Sequence, residues 1–135
     1  MDVQISKKVL IVDDEMTVRR LVKRLLSKEY TVIEAENGIE AIDIAKNQKP
    51  DLILMDMMMP KMDSLSACYA IKKDVSTSHI PVVMLTAITH DLNKRLSENV
   101  MGANGYITKP FNAVELISTI RGLLNIDRII EPLSG

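Results

Sequence analysis

Aromatic side chains are scarce in this chain: one Phe, three Tyr and no Trp, or 3% of 135 residues. Lys and Arg (17) nearly balance Asp and Glu (18), for a formal net charge of −1. A chain with no excess positive field and few ring faces has little with which to hold a phosphate backbone or stack on bases. Direct nucleic-acid binding is therefore not expected. Cysteine is represented only by Cys68, so no internal disulfide can form. A lone thiol fits a reducing compartment, and its expected role is a small apolar side chain packed on a helix. No apolar run approaches the roughly 18–20 residues of a membrane span. The opening Met1-Asp2-Val3-Gln4 also lacks the basic-then-apolar order of a signal peptide. These absences lead to the expectation of a soluble, cytoplasmic protein with no membrane contact.

What is present is an ordinary globular balance, 47% apolar and 26% charged, in a length suited to one self-sufficient core. Two periodicities alternate along it. Short apolar runs occur at Val9–Val12, Tyr30–Ile33, Leu52–Met55, Pro81–Leu85 and Gly105–Ile107. Between them the spacing is helical: Val18, Leu21, Val22, Leu25 and Leu26 form one stripe, and Val114, Ile117, Ile120 and Leu124 another. Asn37 with Glu40, and Asn112 with Glu115, are spaced as helix-opening capping boxes. The pattern predicts an α/β fold of five βα units. Each strand-to-strand step is long enough for a crossover helix, so the sheet is expected to be parallel. Periodicity ends near the C-terminus, which divides the chain into a domain over 1–125 and a tail or linker start over 126–135.

In an open parallel sheet, ligands bind beyond the carboxyl ends of the strands. The residues expected there are Asp13 and Asp14 after the first strand, Asp56 after the third, Thr86 after the fourth, and Lys109-Pro110-Phe111 after the fifth. Individually these are ordinary turn and cap residues. Together they place three carboxylates, a hydroxyl and an ammonium at one edge. Clustered carboxylates call for a hard divalent cation, and Mg²⁺ takes carboxylate oxygens together with water and phosphate oxygens. The set suits stabilisation of a phosphoryl group in transfer, with a carboxylate as acceptor. The methionines at 55 and 57–59 read as adaptable packing rather than as a soft-metal site.

Val9-Leu-Ile-Val-Asp-Asp14, Asp56-Met-Met-Met-Pro60 followed by Met62-Asp63, Thr86-Ala87 and Lys109-Pro-Phe111 resemble the receiver domains of two-component response regulators, over about Lys8 to Asn125. The resemblance implies a flavodoxin-like sheet of strand order 2-1-3-4-5. It implies Asp56 as phosphoacceptor, and Mg²⁺ (or Mn²⁺) held by Asp14 and Asp56 directly, by Asp13 mostly through water, and by the Met58 carbonyl. Thr86 and Lys109 would bond phosphoryl oxygens, Tyr106 would swing inward with Thr86, and the bond before Pro110 would be cis. The implied partners are a sensor histidine kinase or phosphotransfer protein and an unidentified downstream target. The implied assembly is a monomer or a phosphorylation-dependent dimer. The implied readout surface is the fourth helix, fifth strand and fifth helix. Met58 and Ile88 would flank the path of the hydrolytic water. One position departs from the family: Ser64 stands where Gly is common, and its expected role is a helix N-cap. Other readings fit less well. A haloacid-dehalogenase-type phosphatase carries its nucleophile on the first strand, and a flavin module wants a glycine- and hydroxyl-rich loop where Asp13-Asp14-Glu15 stands. A docking-only receiver is disfavoured because every acidic and phosphoryl-contacting position is filled.

Overall fold

The computed structural model describes residues 6–57, 59, 64–86 and 102–124. Five strands form one parallel sheet: β1 (Lys7–Val12), β2 (Tyr30–Ala35), β3 (Leu52–Asp56), β4 (Val82–Thr86) and β5 (Gly105–Thr108), in the order β2-β1-β3-β4-β5. Four helices accompany them among the described residues: α1 (Met16–Leu26), α2 (Gly38–Gln48), α3 (Ser64–Lys73) and α4 (Ala113–Leu124). The last of these is the fifth helix of the sequence pattern. The expected fourth helix, Ala87, Ile88 and the tail over 126–135 lie outside the described residues, as do Met58 and the Pro60–Asp63 stretch.

The sheet is covered on both faces, which is why its central strands are apolar without alternation. Side chains still alternate in direction along each strand. Leu10, Val12, Ile53, Met55, Val82 and Met84 meet Ala41, Ala45, Ala67, Cys68 and Ile71 from α2 and α3. Val9, Ile11, Leu52, Leu54, Val83 and Leu85 meet Val22, Leu26, Leu116 and Ile120 from α1 and α4. All five residues of β3 are buried, as are all five of β4. Replacing a side chain such as Leu54 by Ala would cost about 2–5 kcal/mol.

Local chemistry fixes the ends of the elements. Asn37 Oδ1 accepts the Glu40 amide (2.9 Å) and Asn112 Oδ1 accepts that of Glu115 (2.7 Å), so both helices open on side-chain caps. Glu40 reaches back to the Glu36 amide rather than to that of Asn37, one residue beyond the expected box. The fourth strand begins at Val82, because Pro81 has no amide to donate; its carbonyl accepts from Ile53 instead.

Two expected stripe positions face outward. Leu21 is 44% exposed and Val114 is 78% exposed. On α1 the buried line runs through Arg19, Val22 and Leu26, so the covered face is rotated toward a charged residue. On α4 Val114 and Glu115 are exposed, and full burial begins at Leu116. Ser64 is the first residue of α3 and does not cap it. Its Oγ donates to the main-chain carbonyl of Asp56, fully buried between β3 and α3.

Candidate functional site

Parallel strands end on one side, and here that side carries the expected set. The ladder places Val12 beside Met55, Asp56 beside Leu85, and Thr86 beside Thr108. Hydrogen bonding continues past the strand ends. Asp13 donates its amide to the Ala35 carbonyl (3.1 Å), Met57 to Leu85 (2.8 Å) and Lys109 to Thr86 (2.6 Å). The residues just beyond β1, β3 and β5 are therefore positioned by the sheet itself. The Lys109–Pro110 peptide bond is cis.

Asp13, Asp14 and Asp56 each bring a carboxylate oxygen within 4.8 Å of the others. Their surroundings differ: Asp13 is completely buried, Asp56 is 5% exposed and Asp14 faces solvent. Lys109 bridges the two buried carboxylates, its Nζ 3.2 Å from Asp13 Oδ2 and 3.0 Å from Asp56 Oδ1. The other oxygen of Asp13, Oδ1, accepts the Glu15 amide at 2.9 Å. Burial pushes the Asp13 carboxyl above its ordinary range, and the Asp56 charge adds to this. The Glu15 amide and Lys109 oppose the shift without cancelling it. For Lys109, burial alone would lower the ammonium pKa, but its hydrogen bonds and charge interactions with Asp56 and then Asp13 hold it above the ordinary lysine value.

The donor set is all oxygen, with no His or Cys among the clustered ligands, which suits a hard divalent cation such as Mg²⁺ or Mn²⁺ rather than zinc or copper. Cys68 is buried in the core on α3, and burial raises its thiol to about 11, so it is an inert packing residue. Thr86 closes β4 and is buried. Tyr106 lies on β5 opposite Met84, partly buried against the α2–α3 side of the core.

The sequence profile of the response regulator receiver domain matches residues 9–121. The chain belongs to that family. Among relatives of the receiver, a probable transcriptional regulator ycf27 of Porphyridium aerugineum is 40% identical over 120 residues, 88% of this chain and 48% of that protein. The chain thus spans about half the length of the curated relatives it matches. Among solved structures, the chemotaxis response regulator CheY4 of Vibrio cholerae is 32% identical with a TM-score of 0.82, covering 89% of this chain and 100% of that one. The receiver domain of the sensor histidine kinase PA1611 from Pseudomonas aeruginosa is 27% identical with a TM-score of 0.82, covering 90% of this chain and 99% of that one. That structure holds a magnesium ion coordinated in its active-site cleft. Receiver domains are signalling domains of two-component systems, and this receiver carries the acidic cluster such domains use for Mg²⁺.

Arg19, Glu34 and the tie made by Ser64 had no place in the sequence-based site. Arg19 is spaced by three and seven residues from Val22 and Leu26, so it shares their helix face. That spacing sets it at one flank of the apolar stripe, where helical periodicity alone does not decide coverage.

Proposed function

We propose that this receiver is a phosphorylation switch in which Asp56 accepts a phosphoryl group from a phosphohistidine of a sensor histidine kinase or phosphotransfer protein, or from a small phosphodonor. The observation that carries this reading is the Lys109 ammonium set between Asp13 and Asp56 at the mouth of the sheet. An Asp56 carboxylate oxygen attacks phosphorus. The new O–P bond forms as the P–N bond of the donor breaks, and the electron pair leaves with the imidazole nitrogen, which is protonated from water. Lys109 and the Thr86 hydroxyl stabilise the phosphoryl oxygens, and the buried setting strengthens both interactions. Asp13, Asp14, Asp56 and the Met58 carbonyl would hold Mg²⁺, which when bound supplies further charge stabilisation of those oxygens. Asp13, already bonded through both carboxylate oxygens, fits a role exerted through water.

Drawing Thr86 and Tyr106 toward the phosphoryl group would shift the population between two packings of the surface formed by the fourth helix of the sequence pattern, β5 and α4. Residues 1–125 form the switch, and 126–135 are a tail or the start of a linker. The output is control of a partner or an attached domain in the cytoplasm, by a monomer or a phosphorylation-dependent dimer. The chain's own chemistry is limited to taking up and losing the phosphoryl group. The regulators it resembles are about twice its length, so the output would be supplied from outside the matched half. Incubation with acetyl phosphate and Mg²⁺ should add one labile phosphoryl group by intact mass, and Asp56→Asn should abolish it. A phosphoryl signal that survives this change would refute the assignment.

A further inference from the structure

Arg19 is charged yet only 8% exposed, and the phosphoryl chemistry above makes no use of it. Its Nη1 donates to the main-chain carbonyl of Asp13 at 2.8 Å, and its Nε donates to Glu34 Oε1 on β2 at 2.9 Å. Lys23 stands farther off, 3.9 Å from the other Glu34 oxygen. One guanidinium thus joins the end of β1, the first turn of α1 and the edge strand β2.

An apolar residue at this helix face would pack against the core without the cost of burying a charge, and replacement of buried ion pairs by apolar groups is often neutral or stabilising. The arginine contributes two directed hydrogen bonds from a rigid plane, which an apolar residue cannot supply. Those bonds end on the segment that carries the acidic site. Asp13 is held at four points: its amide by Ala35, its carbonyl by Arg19, Oδ1 by the Glu15 amide and Oδ2 by Lys109. Asp14 is the next residue along the same turn.

We propose that Arg19, oriented by Glu34, is a positioning residue for the acidic site. It fixes the β1–α1 turn so that the Asp13 and Asp14 carboxylates converge with Asp56 on a divalent cation. The inference rests on reading that cluster as a Mg²⁺ site. Neither Arg19 nor Glu34 is a ligand, so their effect is read in affinity rather than in the presence or absence of binding.

The test is calorimetric titration of the full chain with Mg²⁺, paired with thermal melts in chelator, for the parent, Arg19→Met, Arg19→Lys and Glu34→Gln. Loss of such outer contacts typically weakens metal binding by about tenfold or more, which is the change expected for Arg19→Met. Arg19→Lys should bind between that variant and the parent, since an ammonium can reach the Asp13 carbonyl but cannot hold Glu34 in the same plane. Glu34→Gln should weaken Mg²⁺ less than Arg19→Met. A merely structural role would lower the melting temperature and leave the Mg²⁺ dissociation constant of the folded protein unchanged, and that result overturns the proposal. Should Arg19→Met fail to fold, unchanged affinity in both Arg19→Lys and Glu34→Gln overturns it equally. A parent that takes up no Mg²⁺ refutes the metal-site reading itself and this inference with it, whereas a binding parent with unaltered variants refutes only the inference.

Discussion

Replacing Asp14 by Asn should make the metal-free protein more stable while weakening its hold on Mg²⁺. The three carboxylates offer oxygens within 4.8 Å of one another. Two unit charges at that separation repel by about 0.9 kcal/mol under full aqueous screening and by about 3.5 kcal/mol at an effective dielectric constant of 20. Asp14 faces solvent, which favours the lower figure. It has two acidic neighbours, and the Lys109 ammonium bonded to both offsets roughly one of the two repulsions. The net relief is therefore about 1 kcal/mol. A chain of this length unfolds with an entropy of about 0.28 kcal/mol/K, so the melting temperature should rise by about 3–4 °C. The assay is a thermal melt by circular dichroism at neutral pH and low salt, with chelator and then with graded Mg²⁺. High salt should shrink the difference by screening the exposed charge. Mg²⁺ should stabilise the parent by mass action and the variant much less, so the order of stability reverses as the ion is added. A variant that keeps its fold but melts below the parent in chelator would refute the reasoning.

Three further outcomes are expected. The Asp13 carboxyl is raised above its ordinary 3.8 by folding, so the folded chain binds this proton more tightly than the unfolded chain. Its contribution to stability is full below 3.8 and is lost as pH rises through the higher folded value. Urea melts in chelator should therefore show a shallower fall across that window for Asp13→Asn than for the parent, and identical slopes would exclude the effect. Ser64→Ala leaves the buried Asp56 carbonyl without its hydroxyl donor and should cost about 1–3 kcal/mol in denaturant unfolding, with a value near zero counting against the tie. Met58→Asn combined with Ile88→Glu should shorten the lifetime of the phosphorylated domain by admitting and orienting water; unchanged decay of phosphoryl label in excess Mg²⁺ would show that these residues do not set it.

The strands were legible because a sheet covered on both faces leaves an unbroken apolar run, as Val9–Val12 and Val82–Leu85 show. The convergence of Asp13, Asp14, Asp56 and Lys109 was legible because parallel strands deliver all their carboxyl ends to one side. Less legible was which flank of an amphipathic helix a neighbour covers. Helical spacing marks a face to within about one residue position, and Leu21 and Arg19 lie on opposite flanks of the line through Val22 and Leu26. What decides between them is the Asp13 carbonyl and Glu34, groups separated in sequence and brought together only by the β1–β2 pairing. Local rules favour serine as a cap at helix starts, which is what the sequence around Ser64 suggests. Its hydroxyl instead meets a carbonyl eight residues earlier, a partner that no local rule supplies.

The bridge from Lys109 to Asp13 and Asp56 would shape how the site meets a cation. An ammonium fixed to the fold is a tethered counterion, present at an effective concentration far above that of free ions in solution. A divalent ion approaching the cluster would have to compete with this resident charge, which would lower its affinity. The same tether keeps the two buried carboxylates from facing each other as bare charges whenever the ion departs. Departure of an ion would therefore leave two carboxylates that Lys109 already balances, and the acidic mouth would not be forced open.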